Sequence, residues 1–259
     1  MIRTIKNNIQ NNKNIHKTYK DIFNKRGNSY SYAMNQFPYA RHNEFTTLIE
    51  LLDIKNDDKI VDLPSGGGYL KKHLNTDAEI YSVDPAGMFI QQKVKSKCYL
   101  SDITSTPFND SFFDKAYSLA GTHHLTNKKR FYKEVSRILK PSAIFAYADV
   151  AKDTNADRFL NLYVNKYNSL GHDGDFLDIN ITTNELLNSG FSQVNSRLKN
   201  YSWVFSSELH AIIFFRHLFG LNLATDKQII DGIEKHLHIS HNENTFNVQW
   251  QLLQFKATN

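Results

Sequence analysis

The stretch from Ile60 to Leu70 reads I-V-D-L-P-S-G-G-G-Y-L, and it constrains the fold more than any other part of the chain. Ile60, Val61 and Leu63 are apolar and mostly β-branched, which suits a strand covered on both faces. Gly66, Gly67 and Gly68 follow at its carboxyl end. Without Cβ atoms they let the backbone turn through positive φ and let a ligand lie against bare peptide. A helix expected to begin near Tyr69 would aim its free N–H groups at the same point. An ordinary strand-to-helix turn needs one glycine. Three in a row favour a nucleotide or nucleoside site at the carboxyl ends of an open α/β sheet.

A nucleoside over that turn calls for a carboxylate at the end of the next strand, to accept hydrogen bonds from ribose hydroxyls. Asp84 answers in A-E-I-Y-S-V-D-P, where Ile80 to Val83 reads as the strand and Pro85 ends it. Asp84 stands 16 residues after Gly68 (84 less 68), so the intervening helix is short. A third strand is expected over Lys97 to Leu100, followed by Asp102, which can accept from an exocyclic adenine amine. Each aspartate alone reads equally as a helix cap or turn former. A dinucleotide motif would need a small residue at Lys71 for close helix packing, and lysine is long and charged.

The stretch from Asp62 to Val150 resembles class I S-adenosylmethionine-dependent methyltransferases, in particular the small-molecule enzymes related to the ubiquinone and menaquinone methyltransferases. The resemblance rests on Asp62 with Gly66 and Gly68, on Asp84, and on S-D-I-T-S-T-P-F at Ser101 to Phe108. It continues through F-F-D-K-A-Y-S-L-A-G-T-H-H-L and through F-Y-K-E-V-S-R-I-L-K-P at Phe131 to Pro141. It implies a Rossmann-like α/β fold with a seven-stranded, mostly parallel sheet, a terminal antiparallel hairpin and an N-terminal helical lid. It implies S-adenosyl-L-methionine as cofactor and S-adenosyl-L-homocysteine as product. Cofactor contacts then fall to Asp62, Pro64, Ser65, Gly66, Gly67, Gly68, Asp84, Pro85, Asp102, Ile103, Leu119 and Ala120. Pro64 and Ser65 depart from the usual residues, as does Ser142-Ala143 after Lys140-Pro141, yet neither change removes a cofactor-binding group.

With 259 residues, 41% of them hydrophobic, the chain can bury one sizeable α/β core with an appended cap. One cysteine excludes an intramolecular disulfide and a cysteine-built metal site. No run of about 18 apolar residues occurs and Met1 to Gln10 lacks an apolar stretch, so a cytoplasmic protein without a membrane span is expected. The net charge of +5 gathers partly in Arg3, Lys6, Lys13, Lys17, Lys20, Lys25 and Arg26. A nucleic-acid enzyme would set such an arm on phosphates, while a solvated helix face explains it more simply.

The expected units are a lid over 1–40, a cofactor-binding core over 41–203, a helical cap over 204–242 and a last strand over 243–259. The first core helix is expected at Arg41 to Leu52, with Arg41 a candidate partner for the cofactor's carboxylate. In the helix from Asn127, Phe131, Val135, Ile138 and Leu139 make one apolar stripe, and Lys140-Pro141 stops it. A fifth strand over Ala143 to Val150, a helix over Asp157 to Tyr167 and another over Thr183 to Asn188 follow. Strands at Ser192 to Trp203 and Thr245 to Phe255 then flank two helices, Ser206 to Gly220 and Thr225 to Leu237, expected as a cap over the strand ends.

Aromatic residues of the lid and cap, Tyr30, Tyr32, Phe37, Trp203 and Phe214, are candidates for lining an acceptor pocket, though core packing explains them as well. His172 and His210 join them as candidate substrate contacts. Methyl transfer from a sulfonium is an in-line displacement, and alignment alone can contribute about 7 to 11 kcal/mol. An oxygen or protonated nitrogen acceptor must also lose a proton. His123 and His124, in the loop after the fourth strand, are the candidate bases. Asp173 and Asp175 lie in a glycine-rich loop and read as turn formers, so no metal is expected. The expected reaction methylates N or O of a small, planar or aromatic metabolite, in a monomer or homodimer without nucleic acid. An RNA methyltransferase using the basic arm and a non-catalytic cofactor-binding subunit are the alternatives.

Overall fold

The structure is a computed structural model that describes residues 18–91 and 97–259. Arg3, Lys6, Lys13 and Lys17 of the basic arm lie outside the described residues, as does most of the stretch before the first helix.

The sheet is built from β1 (Lys59–Asp62), β2 (Glu79–Asp84), β3 (Cys98–Leu100), β4 (Phe113–Leu119), β5 (Leu139–Asp149), β6 (Gln193–Phe205), β7 (Ile239–His241) and β8 (Phe246–Thr258). Its order is β3-β2-β1-β4-β5-β8-β6, with β7 added alongside β8. The first five strands run parallel, and β8 runs antiparallel to both β5 and β6. This is the expected mostly parallel sheet with an antiparallel end, plus one short strand that the sequence reading lacks. The strand order reverses between β1 and β4, and a crevice opens there at the carboxyl ends.

Neighbouring residues of β1 serve opposite faces. Ile60 belongs to one apolar core and Val61 to the other, and both are fully buried. The second core takes Phe131, Tyr132, Val135 and Ile138 from α4 (Lys128–Ile138) and Leu186 from α7 (Ile179–Leu187). The first core takes Phe45 and Leu48 from α2 (His42–Ile49), together with α8 (Glu208–Phe219) and α9 (Asp226–His236). A helical run made of α5 (Asn155–Arg158), a π-helical stretch Phe159–Val164 and α6 (Asn165–Tyr167) packs there too. Finally α1 (Tyr19–Gln36), begun by a Thr18–Asp21 capping box, lies against α8 and against α3 (Gly87–Gln91).

Three local expectations are corrected. The helix after the glycine turn is only a single 3₁₀ turn, Leu70–His73, because β2 must begin at Glu79. In the turn itself the Ser65, Gly66 and Gly68 amides donate to the Val83 carbonyl, the Asp84 carboxylate and the Ser65 carbonyl. Lys140-Pro141 does not end the helix but sits within β5, which begins at Leu139. The helix expected at Thr183 starts at Ile179, because Asp178 accepts from the Asn180 and Ile181 amides and caps it earlier.

Candidate active site

Asp84 ends β2 with its side chain fully buried. Its Oδ1 accepts from the Ala86 amide at 2.8 Å, and its Oδ2 from the Gly66 amide at 2.8 Å and the Tyr19 hydroxyl at 3.1 Å. Burial pushes the carboxyl up to about 6, and these three donors pull against it. The glycines earn their place through geometry: φ is +53° at Gly66, +101° at Gly67 and +68° at Gly68. A side chain at Gly67 would also press on the Tyr69 ring at 3.0 Å.

A cavity of about 520 Å³ begins at Tyr19 and Pro85, the neighbours that cover Asp84, while Asp84 itself lines neither this cavity nor the next. Pro85, Asp102 and Ile103 form one wall, and His124, Leu125 and Asn127 stand in another. Asp102 folds its Oδ1 back onto the Thr104 amide and hydroxyl. A second cavity, about 40 Å³, lies over the glycine turn and is lined by Asp62, Pro64, Ser65, Gly66, Leu119 and Ala120. Tyr30 and Arg41 close it from the other side. Ser65 Oγ and the Tyr117 hydroxyl border this small cavity and are buried without a hydrogen-bond partner among the described residues. Buried polar atoms of that kind call for a polar ligand.

His123 and His124 occupy a 3₁₀ turn, Thr122–His124, at the carboxyl end of β4, and both are buried. His123 Nδ1 lies 2.8 Å from Asp149 Oδ1. The same carboxylate accepts from the amides of Thr122, His123 and Val150 and from the Thr122 hydroxyl. Burial would raise the Asp149 carboxyl, yet the His123 imidazole and these donors hold it below its ordinary value. His172 packs beside the pair, with ring centroids 5.5 Å from His123 and 5.4 Å from His124. Burial pushes the His172 imidazole well below its ordinary pKa, and it is neutral.

The remaining candidates fall elsewhere. Trp203 and Phe214 sit in the first core, and the indole donates to Glu44 Oε2 at 2.7 Å. Tyr32 is exposed and packs on His217, while His210 is exposed and bonds to Ser206 Oγ. Phe37 packs against His210, Phe205 and Phe214. None of these five lines either cavity, because α8 buries its apolar side on the sheet face and not over the strand ends. Arg41 does border the small cavity, but its Nε is bonded to Glu44 Oε2 at 2.9 Å and its Nη1 to the Tyr30 hydroxyl. Two residues that contribute to the site escaped the sequence reading, Asp149, bonded to His123, and Asn161, bonded to His172, while Tyr19 reads in sequence only as one aromatic of the lid. Asp149 had a signal, as an acid closing an otherwise apolar strand.

Residues 61–147 match the family described as a methyltransferase domain. The chain carries a class I S-adenosylmethionine-dependent methyltransferase domain. S-adenosylmethionine is the cofactor of that domain, and the residues present are compatible with it: Asp102 and Ile103 line the large cavity, and Asp62, Ser65 and Tyr117 offer polar atoms at the small one. The methyltransferase domain is similar to a sterol methyltransferase-like protein of Botryococcus braunii, 44% identical over 22% of this chain and 14% of that one. An uncharacterized methyltransferase of Bacillus subtilis, YcgJ, is 24% identical over 52% of this chain and 57% of its own. The chain thus spans less than two thirds of these relatives. In fold, it superposes on a SAM-dependent methyltransferase of Thermotoga maritima with a TM-score of 0.64, at 14% identity, over 93% of this chain and 99% of that one. Among the described residues, no helix of the chain is long and apolar enough to cross a membrane.

Proposed function

We propose that this protein transfers a methyl group from S-adenosylmethionine to an oxygen or nitrogen of a small metabolite. The cofactor supplies an electrophilic methyl on a sulfonium. The carrying observation is that one cavity joins the cofactor wall at Pro85, Asp102 and Ile103 to the His124 wall. An acceptor entering there meets an imidazole of the histidine cluster, which takes the proton that the acceptor's O–H or N–H must lose. Asp149 holds His123 in place and so positions the cluster. Lys20 and Arg130 at the same cavity suit an acceptor that bears an acidic group.

Support for a lid comes from α1. Its Tyr19 and Tyr30 crowd the cofactor turn, and the cavity they leave there, about 40 Å³, is far below the roughly 300 to 1,000 Å³ of a ligand pocket. We infer that α1 shifts outward to admit the methionyl end and returns to exclude water.

The test is incubation of the purified protein with methyl-labelled cofactor and separate panels of phenols, small amines, sterols and RNA. Label on a hydroxyl or amine of a small molecule is expected. Label on sterol carbon alone, as the names of several relatives suggest, would overturn the oxygen or nitrogen assignment. Label in RNA alone would overturn the small-molecule reading.

A further inference from the structure

The three buried histidines beside the cavity come from two parts of the chain, the adjacent His123 and His124 and the distant His172, and their ligand-capable nitrogens lie within 4.8 Å of one another. Two of the rings have their tautomers set from behind. His123 Nδ1 is tied to the Asp149 carboxylate, so in the neutral ring the proton sits there and Nε2 carries the lone pair. His172 Nδ1 lies 3.0 Å from Asn161 Oδ1. That amide is oriented in turn, because its Nδ2 donates to the Gly174 carbonyl and its Oδ1 also accepts from the Gly174 amide. Asn161 therefore accepts from His172, which again leaves Nε2 bare. Asn161 projects from the π-helical stretch Phe159–Val164, where the widened turn re-aims side chains relative to a regular helix. His124 completes the set and borders the large cavity, which gives access from solvent.

An imidazole whose far nitrogen donates to a carboxylate or an amide oxygen is the usual arrangement behind a metal-ligating histidine. Two such nitrogens, with the His124 ring beside them and a cavity alongside, match sites that keep one coordination position open. We propose that His123, His124 and His172 bind a first-row divalent cation, zinc foremost, with its open position toward the acceptor cavity. Three imidazole nitrogen donors favour zinc, cobalt or nickel over magnesium and calcium, which take oxygen ligands. Bonds of about 2.0 to 2.1 Å require the three rings to draw together by small rotations. Arg26, whose charge reaches His172, opposes a dication, and the buried Asp149 carboxylate offsets it. The site would place a Lewis acid where the acceptor is proposed to bind, but metal binding does not depend on that reading.

The experiment uses the full chain, stripped with chelator and titrated with Zn²⁺ by calorimetry and with Co²⁺ by visible absorption, with neither cofactor nor acceptor present. One equivalent per chain is expected, with the intense Co²⁺ bands of a four-coordinate site. His172→Gln should weaken binding at least tenfold and abolish those bands, and Asn161→Leu should weaken it by about 10- to 100-fold. His124→Gln gives the same reading should His172→Gln fail to fold, which circular dichroism reports. A second histidine pair, exposed His42 and half-buried His73, has Nδ1 atoms 3.1 Å apart and serves as the control. Absence of uptake by the wild-type chain overturns the proposal. So does uptake that survives both cluster variants or that is lost in His42→Gln.

Discussion

Asp84 and Asp149 close β2 and β5 at the same edge of the same sheet, and both are fully buried. Their electrostatic settings are opposite. Asp84 is reached by two amides and one phenol, too little to offset its burial, and its carboxyl rises to about 6. Asp149 receives three amides, a hydroxyl and an imidazole, and its carboxyl falls below the ordinary value despite equal burial. Burial therefore does not decide the charge; the number and kind of donors do. Asp149 is satisfied by the protein itself and acts as a fixed support. Asp84 is left short of donors, which suits the proposed role of accepting from a ligand's ribose hydroxyls once Tyr19 withdraws.

Removing the two carboxylates should separate these roles. Asp149→Ala strips the anchor from the Thr122–His124 turn and leaves several buried donors unmet, so a loss of about 3 to 5 kcal/mol of stability is expected. Denaturant unfolding checks this, and a midpoint within experimental error of wild type would erase the contrast. Asp84→Ala should act mainly on binding, weakening S-adenosylmethionine by about 1.5 to 3 kcal/mol, the contribution of hydrogen bonds to a charged group. Unchanged affinity by calorimetry would take Asp84 out of the site.

The cofactor half was legible in sequence because its chemistry is local: Gly66 to Gly68 and Asp84 announce themselves by residue type and by position at strand ends. The histidine half was legible only in pieces. His123 and His124 stand next to each other, but Asp149 lies 26 residues from His123 and Asn161 lies 11 from His172, and tertiary packing alone brings them together. The cap failed differently. The helices Glu208–Phe219 and Asp226–His236 were foreseen nearly to their caps, Ser207 and Thr225, but an all-round apolar helix does not say which surface it will cover. Phe214 and Trp203 joined the core as a result. The lid's contact with Asp84 was hidden for the same reason, since Tyr19 gives no sign in sequence of what its hydroxyl will meet.

Acid titration sharpens the contrast, because the two carboxylates act with opposite sign. A folded carboxyl raised to about 6 contributes stability at low pH that is lost as pH rises through about 6, so ionised Asp84 strains the ligand-free protein. Asp149, held low, contributes stability at neutral pH that is lost as pH falls through its depressed range. The ribose hydroxyls are best accepted by ionised Asp84. Cofactor affinity should therefore decline below about pH 6, by no more than tenfold per pH unit, and the decline should vanish in Asp84→Ala. A pH profile that is unchanged by that substitution would assign the titration to another group.

The smallest effect is expected from the phenol that now sits on the Asp84 carboxylate. Tyr19 donates to Asp84 Oδ2, one of the two oxygens that ribose hydroxyls would use, and this bond must lengthen or break when α1 shifts. Tyr19→Phe keeps the ring packed on Phe23 at a 4.5 Å centroid distance and deletes only the competing donor. S-adenosylmethionine should bind tighter by about 0.5 to 1.5 kcal/mol, a few-fold to roughly tenfold, with the gain appearing as faster association if the lid must open first. Weaker binding would mean that the hydroxyl helps to hold the cofactor after closure. Asp84 would then share its ligand with the lid and not compete with it.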